Sequence, residues 1–274
     1  MSIFTPHETE VFNQELYEAA QNKGGFMKPR ARRKTGVIGY RTHFPKIGVA
    51  PAAMPKTKNG RVPLLDIART RVFCDLNDFY GADLVDDLDE LKTNVNERQA
   101  VQNAITYSLN RKEDDIAFAA LISGANANDS IGADDNWSSD AIPRTVLQNF
   151  GDAEIMDGGQ MFAAIKWSAW NALLAQNTFI NSQYGGDVSL TSEGQAPKMF
   201  FGFAYVPFSR LPTFSGASKY NLWWNSKVLA IAVGKEFTTT MERLPEYDAM
   251  QVMGKLSQGA CLVDDTGVIK RRYT

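Results

Sequence analysis

The longest regular pattern of apolar and polar positions runs from Glu97 to Ile122, "ERQAVQNAITYSLNRKEDDIAFAALI". Val101, Ala104, Ile105, Ser108, Leu109, Lys112, Ile116 and Ala120 recur at helical spacing, with polar residues near the middle of the stripe. Asn94 or Asn96 is placed to cap the start, with Glu97 or Gln99 three residues on, and Gly124 to stop it. At ~1.5 Å per residue such a helix spans ~35–40 Å, and its narrow, Ala-rich face suits packing on a sheet. The preceding "ADLVDDLDELKT" reads as a short acidic helix. Asn126 to Asp140 reads as a loop, and Ala125 to Glu154 leaves little room for a further helix. Beyond it, "GQMFAAI" predicts a strand, "SAWNALLAQ" a helix capped by Ser168, and "QYGGDVSLTSEGQAP" a long polar loop. "KMFFGFAYVPF" predicts one buried strand ending at Pro207, and "NLWWNSKVLAIAVG" a further apolar element. Trp223 and Trp224 are adjacent, so on a strand they face opposite ways and at most one is free to stack on a partner. The last stretch predicts two strands joined by the turn Asp264-Asp265-Thr266-Gly267. There is no βαβ alternation and no internal repeat, so the class is α+β.

Before the long helix the pattern is extended rather than helical. "AAMPKTKNGRVPLLD" sets Asn59-Gly60 between two such stretches, a hairpin signal. Pro45, Pro51, Pro55 and Pro63 flank it and cannot donate to a ladder, which favours an isolated ribbon over a sheet interior. A lone two-stranded ribbon is marginal in water and must lie against something. A plain mobile loop is the bland alternative.

Charge changes this picture. The formal net charge is only −2, yet Lys28, Arg30, Arg32, Arg33, Lys34, Arg41, Lys46, Lys56, Lys58, Arg61, Arg69 and Arg71 are opposed between Lys28 and Arg71 by Asp66 alone. Asp75, Asp78, Asp83, Asp86, Asp87, Asp89, Glu90 and Glu97 follow, with only Lys92 against them. Two solvated faces are the ordinary explanation. The sharper one is a positive segment that meets nucleic acid or another copy of the same chain, an association that salt weakens.

Candidate chemistry is sparse. His7 and His43 both sit near the N-terminus, no nucleotide-binding, zinc-protease or nucleophile-elbow motif occurs, and Asp129, Asp134 and Asp135 lack calcium-loop spacing. No metal, cofactor or enzymatic activity is expected; a hydrolase built from scattered carboxylates is the remote alternative. Cys74 and Cys261 read as buried reduced thiols. The sequons at Asn128 and Asn136 lack a secretory context. No apolar run reaches the ~18–20 residues of a membrane span, no secretory signal is present, and a cytosolic protein is expected. The 274 residues suffice for one large or two modest domains.

The order of elements resembles the major capsid proteins of tailed bacteriophages, the Hong Kong 97 fold. The residues that carry the likeness are "DFYGADLVDDLDELKTNVNERQAVQNAITYSLNRKEDDIAFAALISG", with Asn110-Arg111-Lys112 and Asp114-Asp115 as the polar centre of a spine helix, then "GFAYVPFSRLP", then "VLAIAVGKEFTTTMERLPEYDAMQVMGKLSQGACLVDDTGVIKRR". The resemblance implies an N-terminal arm over 1–35, an extended hairpin (the E-loop) over 36–72, a P-domain over 73–154 with its spine helix at 97–122, an A-domain over 155–245, and returning strands over 246–274. It implies a structural protein that self-assembles into the hexamers and pentamers of an icosahedral capsid, located in the virion and assembled in the host cytoplasm. In such a shell the basic E-loop residues Arg41, Lys46, Lys56, Lys58, Arg61, Arg69 and Arg71 bed on Asp83, Asp86, Asp87, Asp89 and Glu90 of the next copy. Lys28, Arg30, Arg32, Arg33 and Lys34 then contact packaged double-stranded DNA, without sequence preference, as a secondary role. The lack of a long helical N-terminal extension implies either a separate scaffolding protein as partner or a mature, already cleaved chain, and Met1 favours the former. A portal is another implied partner, and a decoration protein is a further candidate. No Lys–Asn crosslinking pair is identifiable. The alternatives are an encapsulin-like compartment, or a free nucleic-acid-binding protein using the basic arm.

Overall fold

Two sheets and a long helix between them carry the architecture. The computed structural model describes residues 21–86, 97–124, 137, 140–156, 160–176, 179, 198–215 and 218–273. A four-stranded sheet has the order β1-β10-β11-β4, built from β1 (Arg32–Lys34), β4 (Asn77–Asp86), β10 (Leu229–Leu244) and β11 (Ala249–Leu262). Its pairs are antiparallel except β1 with β10. A six-stranded sheet has the order β12-β9-β5-β7-β6, with β8 added on β9. Its strands are β5 (Met161–Ile165), β6 (Lys198–Phe200), β7 (Phe203–Pro207), β8 (Thr213–Ser215), β9 (Ser218–Asn225) and β12 (Val268–Tyr273). The helices are α1 (Glu97–Gly124), α2 (Ala141–Asp152) and α3 (Trp167–Leu174).

The six-stranded sheet is covered on both faces, so β5 and β7 are buried along their whole length. Strand alternation sorts its side chains. Phe162, Ala164, Leu222 and Trp224 join the core beneath the C-terminal half of α1, with Phe118, Leu121 and Leu229. Ala163, Ile165, Tyr205 and Trp223 join the opposite core, closed by α2 and α3 through Val146, Phe150, Trp170 and Leu173. Neither tryptophan is free to stack on a partner molecule. Trp223 lies 5.9 Å from the Trp137 ring and donates to the Tyr205 hydroxyl (3.2 Å), while Trp224 donates to the Arg30 carbonyl (3.0 Å).

The helix packs through a face different from the one its apolar spacing suggests. Ala104, Ser108 and Lys112 are exposed; the buried line is Ile105, Leu109, Glu113, Ala117 and Leu121, with Val101 partly covered. Steps of four residues drift about 40° each, so this line winds around the helix. Ile105 and Leu109 lie on Val85, Val252 and Leu256 of the four-stranded sheet. Ala117, Phe118 and Leu121 lie under the six-stranded one.

Other expectations are corrected by pairing. Residues 82–86, read as the start of an acidic helix, belong to β4, with Ala82 opposite Met253 and Val85 opposite Met250. The ladder with β11 and the burial of Val85 outweigh helical propensity there. The segment ending at Pro207 is two strands, turned by Phe201 (φ 47°) and Gly202 (φ 80°). Ser168 lies inside α3, whose N-cap is Lys166 without a side-chain cap bond. Helix α2 lies within the stretch 125–154, expected to leave little room for a further helix. The last two strands fall in different sheets, joined by a 3-10 turn at Asp265–Gly267. The readings of the loop at 126–136 and of the polar loop after Gln183 lie outside the described residues.

An N-terminal strap crosses the middle of α1. Gly24 (φ +70°) allows the approach, since a Cβ there would stand 2.5 Å from the Arg111 backbone nitrogen. Beyond it the Phe26 and Met27 amides donate to the Asp114 carboxylate (3.1 and 2.8 Å). Arg111 donates to the Gln21 side chain (2.7 Å) and the Asn22 carbonyl (3.0 Å). Phe26 packs on Phe208 (4.6 Å between centroids), and Met27 is fully buried.

The remaining sheet is β2 (Arg41–Ile47) paired with β3 (Arg69–Asp75), in register from Arg41 opposite Asp75 to Ile47 opposite Arg69. Its root crosses β11 at Gly259, where a Cβ would stand 1.9 Å from the Asp75 carbonyl oxygen. Gly259→Ala therefore pushes backbone against backbone. It is expected to cost at least about 1–3 kcal/mol in chemical denaturation; an unchanged midpoint would contradict this crossing.

Burial pushes the Asp114 carboxyl up to about 6, against the Met27 and Phe26 amides that favour its charge and with help from neighbouring Glu113. An unfolded aspartate releases its proton near pH ~4. Between those values the folded chain holds more protons, so this group's contribution to stability falls as pH rises from about 4 to about 6. The loss is on the order of 2–3 kcal/mol. Asp114→Asn should lack it: the difference between wild-type and variant stability should slope across that window, and a flat difference would contradict the assignment.

Candidate assembly interface

The β2–β3 hairpin divides into a root held by its own chain and a tip that is not. Alternation along β2 turns Thr42 and Phe44 inward and His43, Pro45 and Ile47 outward. Phe44 and Cys74 are buried with Ala230, Ala232 and Cys261 on the four-stranded sheet. Two ion pairs flank this contact. Arg41 clasps Asp75 across the ladder, through Nε to Oδ1 and Nη2 to Oδ2, and the hydrogen bonds hold the Asp75 carboxyl below its usual range. Lys46 reaches Asp264 at 3.0 Å. These two of the seven expected interface cations thus have partners in their own chain.

Beyond Gly48, whose amide donates to the Ala68 carbonyl (2.8 Å), the ladder ends. A turn is present one residue earlier than expected: Lys58 and Asn59 are its centre, Asn59 takes φ 64°, and the Gly60 amide donates to the Thr57 carbonyl (3.0 Å). Between these points lie apolar side chains in open solvent, with Val49 at 94 % and Leu64 at 90 % exposure, and with Met54 and Val62 also exposed. Ile47 and Phe73 add to them on the outward face of the ladder. Lys56, Lys58, Arg61, Arg69 and Arg71 are exposed beside them and form no in-chain ion pair among the described residues. One surface therefore combines aliphatic groups with uncompensated positive charge.

The expected acidic bed is visible in part. Asp83 and Asp86 are exposed on β4, the edge strand of its sheet, and Asp83 accepts from the Leu84 amide (2.9 Å). Asp87, Asp89 and Glu90 lie outside the described residues. Among the described residues, no ion pair joins Asp83 or Asp86 to the tip cations within one chain.

The basic arm is occupied internally to a degree that the charge run alone did not show. Lys28 meets Glu113 (3.3 Å) and donates to Asn110 (2.9 Å). Arg33 lies between Glu113 (3.6 Å) and Glu236 (3.8 Å). Arg30 is stacked on Phe26, its guanidinium 4.1 Å from the ring centroid, and burial lowers its pKa. Lys34 donates to the Thr42 hydroxyl (2.8 Å). Arg32 stays exposed over the Phe44 ring (5.7 Å). Glu113, only 2 % exposed, is the residue that sequence reasoning missed. Its signal was positional, four residues after Leu109 and four before Ala117 on the buried line.

No group of His, Cys, Asp or Glu among the described residues is arranged to hold a metal ion, and no described helix is long and apolar enough to cross a membrane.

Solved structures share this fold at low sequence identity. A chain from Mycobacterium phage Che8 superposes with a TM-score of 0.74 at 16 % identity, covering 98 % of both chains. The capsid structure of cyanophage P-SCSP1u gives 0.75 at 15 %, over 98 % of this chain and 93 % of that one. The capsid of Ralstonia phage GP4 gives 0.70 at 13 %, over 100 % and 97 %. No curated protein matches the sequence. The model of a family described as phage capsid protein matches residues 5–274. By that match over nearly its whole length, and with an α+β fold that phage capsid chains share, this chain belongs to the phage capsid protein family.

Proposed function

We propose that many copies of this chain build an icosahedral shell of hexamers and pentamers around the genome of a tailed phage, each hairpin tip lying across the next copy. The observation that carries this reading is the split hairpin: a root buried in its own chain and a tip with exposed Val49, Val62 and Leu64 beside unpaired cations. Head-to-tail contacts of that kind close into rings. Exposed ion pairs contribute only ~0–1 kcal/mol each. Burying an aliphatic side chain contributes about 1.5–3 kcal/mol. The apolar groups therefore supply most of the cohesion. Lys56, Lys58, Arg61, Arg69 and Arg71, facing Asp83, Asp86, Asp87, Asp89 and Glu90 of the neighbour, set register and salt sensitivity. Arg41 and Lys46 serve the root instead.

In this reading the four-stranded sheet with α1 forms the P-domain and the six-stranded sheet with α2 and α3 the A-domain, an assignment that departs from the expected limits by moving α2 out of 73–154 and β10 out of 155–245. Contact with packaged DNA falls to Arg32 and Lys34, the exposed members of the arm. Assembly proceeds in the host cytoplasm with a separate scaffolding protein and a portal, and a decoration protein has the outer surface available. The role is structural and involves no catalysis. An encapsulin-like compartment is not favoured, because the matching family is that of phage capsids.

Reversing Arg61, Arg69 and Arg71 to Glu should abolish particles in negative-stain microscopy while leaving the subunit's circular dichroism and melting temperature unchanged. Normal particles from that variant would refute the tip contact. Leu64→Ser is expected to weaken assembly with no loss of subunit stability, since the side chain is already in water; a destabilised subunit would mean that the tip folds onto its own body.

A further inference from the structure

Both cysteines of the chain lie where the hairpin root meets the four-stranded sheet. Cys74 lies on β3 and Cys261 on β11, both free and buried, in one cluster with Phe44, Ala230 and Ala232. Gly259 and Cys261 are two residues apart on β11 and point to the same face. A Cβ at Gly259 would lie 3.3 Å from the Cys74 sulfur, which places Cys74 over that face of β11. Each thiol perturbs the other at this site: the neighbouring Cys261 lowers the Cys74 pKa, while Cys74 and burial raise that of Cys261, so Cys74 is the nucleophile of the pair.

We propose that Cys74 and Cys261 form a reversible intrachain disulfide that latches one leg of the hairpin to the body of the subunit. The oxidant is a low-molecular-weight disulfide, R–S–S–R. Cys74 thiolate attacks one of its sulfurs, forming a mixed disulfide and expelling RS⁻. Cys261 then loses its proton to solvent and attacks the Cys74 sulfur, closing the protein disulfide and expelling the second RS⁻. The net reaction oxidises two protein thiols and reduces R–S–S–R to two RSH, once the two released protons are taken up. Both sulfurs are buried, so the first attack requires the root to open, and the oxidation rate reports that opening. The timing of the latch rests on the shell reading: thiols stay reduced in a cytoplasm and oxidise in particles released from it. The bond itself requires only the folded subunit.

The test incubates the purified full-length chain with oxidised glutathione or with dithiothreitol, then denatures it, alkylates it and measures its intact mass. The oxidised sample should lose both alkylation sites and the mass of two hydrogens. Its melting temperature should rise by roughly 5–15 °C, and dithiothreitol should reverse the change. Cys74→Ser and Cys261→Ser, each first shown by melting in dithiothreitol to fold, should gain nothing from oxidant. Two alkylatable thiols after oxidation, a persistent glutathione adduct, a disulfide between chains, or an intrachain bond with no rise in melting temperature would each overturn the latch. Microscopy of the reduced sample scores shell formation separately, so failure of assembly and failure of the bond are read independently.

Discussion

The structure depends on how the β2–β3 hairpin is held at one end only. Phe44 and Cys74 fill a small core against Ala230, Ala232 and Cys261, and Gly259 lets the root cross β11 at contact distance. Nothing comparable supports residues 48–68. A ribbon so short of cross-strand partners gains too little from its own pairing to offset the entropy of ordering it. Its aliphatic and cationic side chains gain free energy only when another surface covers them. A well-packed body and an uncovered limb are thus two parts of one design, in which folding is complete and burial is not.

The strap over α1 supplies the rigidity this design needs. A long helix between two sheets is fixed at its middle by a buried carboxylate pair, Asp114 with the Phe26 and Met27 amides and Glu113 with Lys28 and Arg33. Burying charge is costly unless partners are close, and here the partners come from a distant segment, 87 positions away in the case of Met27 and Asp114. Much of the positive charge that the N-terminal run displays is spent on this internal contact. It fixes the arm to the helix and removes Lys28, Arg30 and Arg33 from the inventory of free cations.

Patterns of residues made much of the fold legible. The helix limits follow from spacing and from Gly124, β5 from a continuous apolar run, and the hairpin from Asn59-Gly60 between proline-flanked extended stretches. The face of α1 was not legible, because a four-residue ridge and a mixed stripe share Ile105 and Leu109 and part at Ala104, Ser108 and Lys112. Nor was β4, where tertiary pairing with β11 overrode an acidic, helix-like composition. The tip cations stand out in sequence because Asp66 is the one acid among them. Glu113 and Asp114 were hidden because carboxylates in a polar stretch read as solvated until the strap that covers them is seen.

Hydrogen exchange of the hairpin in free subunits and in assembled particles tests the central claim most directly. Amides of the root, 42–47 and 69–75, should be protected in both states, and amides of the tip, 48–68, should exchange freely in the subunit and become protected in the particle. A tip already protected in the free subunit, or equally unprotected in both states, would contradict the account.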